Sequence, residues 1–200
     1  MISPSDLPEP LSRFDPDAMF TIAAEIGMSA PLDDEMPIAR ELAASLMRQE
    51  VVSVETLRAV QAIQPAATLV YREDGRITGV SGQLLFRPSA VAPLFAGRFD
   101  AMEVDTSYLS RPGEIAALGY CWGVAASTKR AAGAVIGFSK RVRELLFADL
   151  TIFTKAVTPV GRHTALNRHG YQPLRHPDDD LLIRLPEPAA AQRQAEAVAA

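Results

Sequence analysis

The sequence predicts an α/β fold built on a mixed sheet, and three observations carry that prediction. An Asp74-Gly75 turn joins two β-rich runs, Ala67–Arg72 and Ile77–Phe86, which is among the strongest short-range hairpin signals. A buried-strand run, IAALGYCWGVAAS from Ile115 to Ser127, leads directly into TKRAAGAVIGFSKRVREL. There Ala131, Ala134, Val135, Phe138, Val142, Leu145 and Leu146 recur at the three- and four-residue intervals of a helix. Helical patterns precede the hairpin and short β-rich runs follow the long helix. The order is helices, hairpin, strand–helix, strand–helix, strand, strand, which requires helices packed on a mixed sheet.

Taken in order, residues 1–18 carry four prolines (Pro4, Pro8, Pro10, Pro16) and little periodicity, and read as a tail or strap. One helical pattern covers about 17–28, through Ala18, Phe20, Ile22, Ala23 and Ile26. Another covers about 34–49, where Ile38, Leu42, Ala43, Leu46 and Met47 form an apolar stripe. Asp33, Asp34 and Glu35 at its start suit the helix dipole, and Pro37 fits a first turn. A third helix, Val54–Ile63, stops before Pro65. Gly79 and Gly82 inside the second hairpin strand point to a bulge or to another chain segment lying close. Residues 88–113 hold a candidate strand at Phe99–Val104 and a turn at Arg111-Pro112-Gly113. Beyond the long helix come a strand at Asp149–Thr154, a helical or turn segment at Val160–His169 stopped by Gly170, and closing strands at Tyr171–Leu174 and Leu181–Leu185. One domain is expected over 19–186, and residues 187–200 read as a flexible Ala-rich tail.

Composition narrows the function classes. With 200 residues and 48% hydrophobic content, the chain is sized for one domain with a real core. No apolar run approaches the roughly 20 residues that span a bilayer. The polar, proline-broken N-terminus does not read as a secretory signal, so no membrane partner is expected. Cys121 is the one cysteine, which leaves no intramolecular disulfide and makes a reducing cytoplasm the default compartment. A net charge of −4 argues against nucleic acid as a partner. Yet the three lysines, Lys129, Lys140 and Lys155, all fall between 129 and 155 with Arg130, Arg141 and Arg143. A local positive field on an acidic chain suits a phosphorylated small ligand, and a solvated helix face is the other reading. Ser127 or Thr128 can cap the long helix, whose small, cationic first turn would offer free backbone N–H groups and a favourable dipole to a phosphate.

Three pieces, in order, resemble the GNAT superfamily of CoA-dependent N-acyltransferases. TLVYREDGRITGVSGQLL resembles that fold's second and third strands. RAAGAV, Arg130–Val135, resembles its pyrophosphate loop, usually Arg/Gln-x-x-Gly-x-Gly/Ala. LTIFTKAVTPVGRHTALNRHGYQPL resembles its fifth strand, following helix and closing Gly-aromatic pair at Gly170-Tyr171, so that the likeness covers about 65–185. The resemblance implies a mostly antiparallel mixed sheet of about 6–7 strands flanked by about 4–5 helices. It also implies direct transfer of an acetyl or other acyl group from acyl-CoA, as co-substrate, to a small-molecule or protein amine. Two departures stand out. Val135 replaces the loop's final small residue, with Gly137 two residues further on. Leu166 stands where many members carry the tyrosine that protonates the CoA thiolate.

Site residues follow from the resemblance. The coenzyme would lie on Val124, Ala125, Lys129, Arg130, Ala131, Ala132, Gly133, Ala134 and Val135. Its diphosphate would take the amides around Arg130–Val135. The thioester carbonyl would meet a backbone donor on strand 115–125, opened by a bulge that Gly119 and Gly123 permit. Glu103, Asp105 and Glu114 are candidate bases, with Glu114 preferred because it opens that strand. Tyr120, Tyr171 or a water replaces the missing acid, or the chain is a degenerate module that binds CoA or a partner without turnover. His163 and His169 read as acid–base groups or solvent-facing side chains. Cys121 reads as a nucleophile or, more commonly for such a residue, a buried structural thiol. Trp122 reads as channel lining or core. Asp178-Asp179-Asp180 reads as an acidic loop, and no metal is assigned. A third possibility is an unrelated α/β interaction protein whose basic helix docks on an acidic partner. An exposed closing strand is also a route to a homodimer.

Overall fold

A computed structural model describes residues 2–10, 12–48, 50–175 and 180–186. The first helix, α1 (Pro16–Ile26), starts where the Asp15 carboxylate accepts the Ala18 N–H at 3.0 Å. It ends at Gly27, whose φ of 81° makes the left-handed turn that stops a helix. That turn feeds a two-residue strand, β1 (Met28–Ser29), which the helical pattern running to 28 concealed. Then come α2 (Met36–Met47), α3 (Val54–Ile63), capped by Ser53, and the hairpin β2 (Thr68–Glu73) and β3 (Arg76–Phe86). A short α4 (Val91–Phe95) precedes β4 (Leu118–Ala126) and the long α5 (Lys129–Leu145). The chain closes with β5 (Thr151–Lys155), α6 (Pro159–Arg168), β6 (Gln172–Pro173) and β7 (Leu181–Arg184).

Among the described residues, seven strands form one sheet in the order β1-β2-β3-β4-β5-β7-β6. Every neighbouring pair is antiparallel except β4 and β5, which run parallel because α5 crosses over between them. The expected mixed, mostly antiparallel sheet is therefore present. Helices α1 and α5 cover one face, where Leu69, Leu85, Val135 and Phe138 pack with Phe14 and Met19. Val60 of α3 and Leu94 of α4 cover the other with Leu84, Phe86, Leu118 and Phe153. Each such side chain, fully buried, contributes about 1.5–3 kcal/mol. Gly79 lets α5 approach β3 closely, since a Cβ there would lie 3.0 Å from Val135 Cγ2.

Three expectations change. The boundary at 18/19 falls inside α1, and the segment before it is woven into the body. Ser12 N–H donates to Asp149 Oδ2 at 3.0 Å, its hydroxyl donates to the same carboxylate, and Phe14 N–H donates to Glu114 O at 2.9 Å. Second, Phe99–Val104 is not a strand. Its groups are engaged elsewhere: the Phe99 ring lies edge-on to Phe86 with centroids 5.3 Å apart, and the Asp100 carboxylate accepts the Met102 N–H at 2.8 Å. Third, the closing strand expected over Tyr171–Leu174 shortens to Gln172–Pro173. Residues 187–200 and Asp178-Asp179 lie outside the described residues.

Candidate active site

The site begins with a local irregularity in β4. Gly82 of β3 faces Gly123, but Gln83 faces Cys121, so Trp122 is an extra residue bulged from β4. The parallel ladder to β5 runs from Leu118–Thr151 to Cys121–Thr154 and stops there. β4 continues to Ala126 paired with β3 alone. The two strands part at Cys121, and among the described residues the β5-side backbone groups of Trp122–Ala126 have no ladder partner. They face a cleft of about 1380 Å³, larger than the roughly 300–1,000 Å³ of a single-ligand pocket. Gly119 is not part of the opening: it keeps regular places opposite Leu85 and Ile152, so Trp122 and Gly123 make the bulge.

The cleft passes through the gap and reaches both faces of the sheet. On the α5 face it is walled by Cys121, Ser139, Lys140 and Arg143, with Thr164 of α6 opposite. On the other face Tyr120, Trp122 and Met47 line it, together with the 97–102 loop. That loop is fixed to the bulge by a 2.8 Å hydrogen bond from Trp122 Nε1 to Ala101 O. Of the sequence-derived candidates, Tyr120, Cys121, Trp122, Val124, Ala125, His169 and Tyr171 line the cleft.

Glu114 does not. It lies at the opposite end of the strand, where its carboxylate accepts two hydrogen bonds from Arg87, at 2.9 and 3.0 Å, and one from the Arg111 N–H at 2.8 Å. The Arg111 amide, followed by Arg87, holds its pKa below the ordinary glutamate range. The Glu114 carboxylate is engaged there, away from the end of β4 where the strands part. Glu103 and Asp105 also lie off this cleft, against a smaller hollow beside Phe86. His163 is exposed on α6, with Asn167 beside its ring at 3.2 Å.

The start of α5 differs from the expected loop. Helix geometry begins already at Lys129, because the Thr128 hydroxyl accepts the Ala131 N–H at 3.0 Å and its carbonyl accepts the Ala132 N–H at 3.0 Å. Amides from Gly133 to Val135 are internal to the helix, so only those of Lys129 and Arg130 remain for an anion. Ala131 and Val135 are fully buried against the sheet, Ala134 is buried beside them, and Gly133 faces open space. The Thr128 hydroxyl also donates to the Glu73 carboxylate at 2.7 Å, which places a negative charge beside this turn. That hydrogen bond, more than the nearby Arg130 charge, lowers the Glu73 pKa.

Proton-handling groups gather where the strands part. Burial raises the Tyr120 pKa far above the usual phenol value, against a smaller opposing hydrogen bond with the Lys155 backbone. Tyr171 is raised in the same direction, again by burial first and then by neighbouring Cys121. Burial pushes the Cys121 thiol up to about 11, so it is neutral and not primed as a nucleophile. His169 is lowered by burial and then by Arg143, Arg184 and Arg168. Among the described residues no group of His, Cys, Asp or Glu is arranged to hold a metal ion. Sequence reasoning missed Ser139, Thr154 and the 97–102 loop. The basic run between 129 and 155 held the signal for Lys140 and Arg143, without showing which side of α5 they take.

No protein-family model matches the sequence, and no curated protein matches it. Solved structures do. Naa20 from Chaetomium thermophilum, in complex with a bisubstrate analogue, superposes with a TM-score of 0.52 at 12% identity, over 84% of this chain and 89% of that one. A NatB acetyltransferase complex bound to CoA and MES gives 0.50 at 12% identity, over 80% of this chain and 99% of that one. At these identities the likeness is one of fold. With the mixed, mostly antiparallel sheet and the crossover helix between β4 and β5, it shows that this chain has the GNAT fold.

Proposed function

We propose that the protein is an N-acyltransferase that moves an acetyl or other acyl group from acyl-CoA directly to an amine in the cleft between β4 and β5. One observation carries the reading: β4 outruns its parallel neighbour beyond Cys121 and leaves unpaired backbone along the wall of a two-substrate cleft. Open strand-edge N–H and C=O groups suit the amides of a pantetheine arm, much as they would suit another strand. Lys140, Arg143 and Lys155 place positive charge around the opening for the coenzyme's phosphates. The superposed structures named above hold CoA or a bisubstrate analogue.

In the reaction the amine, once it has lost a proton to water or a rim carboxylate, attacks the thioester carbonyl. A C–N bond forms, the C–S bond breaks, and the departing thiolate takes a proton. A backbone N–H on the open edge of β4 stabilises the oxyanion. Holding both reactants in line supplies several kcal/mol of barrier reduction. Tyr171 donates the proton: its phenol lines the cleft near Cys121 and is protonated at neutral pH, although burial weakens it as an acid. It thereby replaces the hydroxyl that Leu166 lacks.

The Leu166 side chain and the Glu73 carboxylate beside α5 favour a second reading, a module that binds the coenzyme without turnover. Free-thiol release from acetyl-CoA over a panel of amines separates the two. Amine-dependent release is the expected result. A rise in melting temperature with acetyl-CoA and no release would establish the binding module instead. A ligand at about a hundred times its Kd stabilises by about 2.7 kcal/mol, enough to detect.

A further inference from the structure

We infer that the acceptor side of this cleft selects a primary amine carried on an apolar body, with Asp100 meeting the ammonium and Met47, Trp122 and Met102 packing the body. The inference rests on the transferase reading of the same cleft and names its acceptor class. Charge is distributed unevenly across the gap. On the α5 face the walls carry Lys140 and Arg143, suited to an anionic coenzyme. On the α2 face the carboxylates of Glu50 and Asp100 line the cleft. Two cations on that side are turned onto the chain itself: Arg40 donates to Val52 O at 2.9 Å and Val51 O at 3.2 Å, and Arg175 donates to Phe95 O, while Lys155 stands further along β5 on the strand face of Phe153. An approaching ammonium therefore meets acids, with the nearby guanidinium groups directed at carbonyls.

Between those acids the wall is apolar and open. Leu46 is 41% exposed and Met102 37% exposed, high values for large apolar side chains in one cleft. Met47 lies over the bulge, its Cε 3.1 Å from where a Cβ on Gly123 would stand. The Trp122 side chain packs with Met36, Val52 and Leu57 beneath α2 and α3, while its indole nitrogen holds Ala101. Phe99 rests on Tyr120 with ring centroids 4.9 Å apart. Asp100 follows Phe99 in the cleft lining, and its carboxylate accepts the Met102 N–H at 2.8 Å. Flexible methionines and an aromatic wall accept an aliphatic or aryl group, and they give no hydrogen bonds to a sugar.

Trp122 is the one tryptophan of the chain, so its emission reports occupancy of this subsite whether or not turnover occurs. The probes are 2-phenylethylamine, 2-phenylethanol (same body, no charge) and ethanolamine (same charge, no body), titrated with saturating CoA present. The expected result is saturable binding of 2-phenylethylamine, with ethanolamine weaker by about tenfold or more and 2-phenylethanol weaker by about fivefold. Asp100→Asn should erase the preference for the amine over the alcohol and leave the alcohol unchanged. Met102→Ser should weaken both aromatic probes equally. Both substituted side chains are exposed, so folding is retained. Equal affinity for all three probes, tighter ethanolamine, or an Asp100→Asn protein that keeps its amine preference overturns the inference. Thiol release from acetyl-CoA, measured in parallel, separates the two levels. Selective binding without release contradicts the transferase and upholds the subsite; release that is equally fast with ethanolamine does the reverse.

Discussion

Gly79→Ala should destabilise the protein, while Gly133→Ala, on the helix that packs over it, should stabilise it. A Cβ on residue 79 would stand 3.0 Å from Val135 Cγ2, 3.2 Å from Ala131 Cβ and 3.4 Å from Tyr71 Cβ. Carbon pairs rest at about 3.5–4.0 Å, so α5 must lift by roughly half an ångström. Val135 and Ala131 have no exposed surface through which to retreat. Overpacking of this kind costs about 1–3 kcal/mol. About 0.4–1 kcal/mol returns because alanine restricts the unfolded chain. The net expectation is a loss of about 0.5–2 kcal/mol, or about 2–4 °C in Tm per kcal/mol for a domain of this size. At Gly133 an added Cβ meets nothing within 4 Å, and alanine in a helix interior gains about 0.5–1 kcal/mol over glycine. Urea denaturation of both variants, with unchanged m-values, checks the pair. A Gly79→Ala protein as stable as the parent would refute the seating of α5 on β3, and with it the placement of Ser139 and Arg143 on the cleft wall.

Glu73→Gln removes the carboxylate that shares the Thr128 hydroxyl beside the start of α5. Acyl-CoA should bind a few-fold more tightly, by calorimetry, with the gain shrinking as salt is raised; unchanged affinity would place the diphosphate elsewhere. Tyr171→Phe should lower kcat by about a hundredfold with little change in KM, and an unaltered kcat would move the proton donor to Tyr120 or water. Glu35 is held below the ordinary glutamate range first by its hydrogen bonds with Arg72 and then by the Leu32 N–H. A depressed folded-state pKa gives stability that is complete above the unfolded value and lost as pH falls through the folded one. Glu35→Gln should therefore destabilise at pH 7, with the cost shrinking as pH falls below the ordinary glutamate range, as read from urea midpoints across that interval.

The hairpin and the strand-to-helix crossover were legible because each has a local cause, a turn that needs Asp-Gly and an apolar period that changes from strand to helix. The Thr128 cap was legible as one of two choices, and its consequence was not. Whether the amides of residues 131–135 stay free or enter the helix depends on where the first turn closes, and the cap closes it early. Glu114 opens the strand run, but strand order alone does not say which end of β4 parts from β5. That end is fixed by the bulge at Trp122, which arises from pairing with β3 residues forty positions away in sequence. Phe99–Val104 carries the apolar side chains Phe99, Ala101 and Val104 that suggest a strand. Its conformation is set by Trp122 and Tyr120, contacts that no local pattern encodes.

The most direct measurement is a crystal structure of the protein with acetyl-CoA. The expected result is a pantetheine arm lying in the gap beside Trp122–Ala126, hydrogen-bonded to the open edge of β4, with its thioester between Tyr171 and the Asp100 side of the cleft. Coenzyme bound away from that gap, or a β4–β5 ladder zipped closed as far as Ala126, would contradict it.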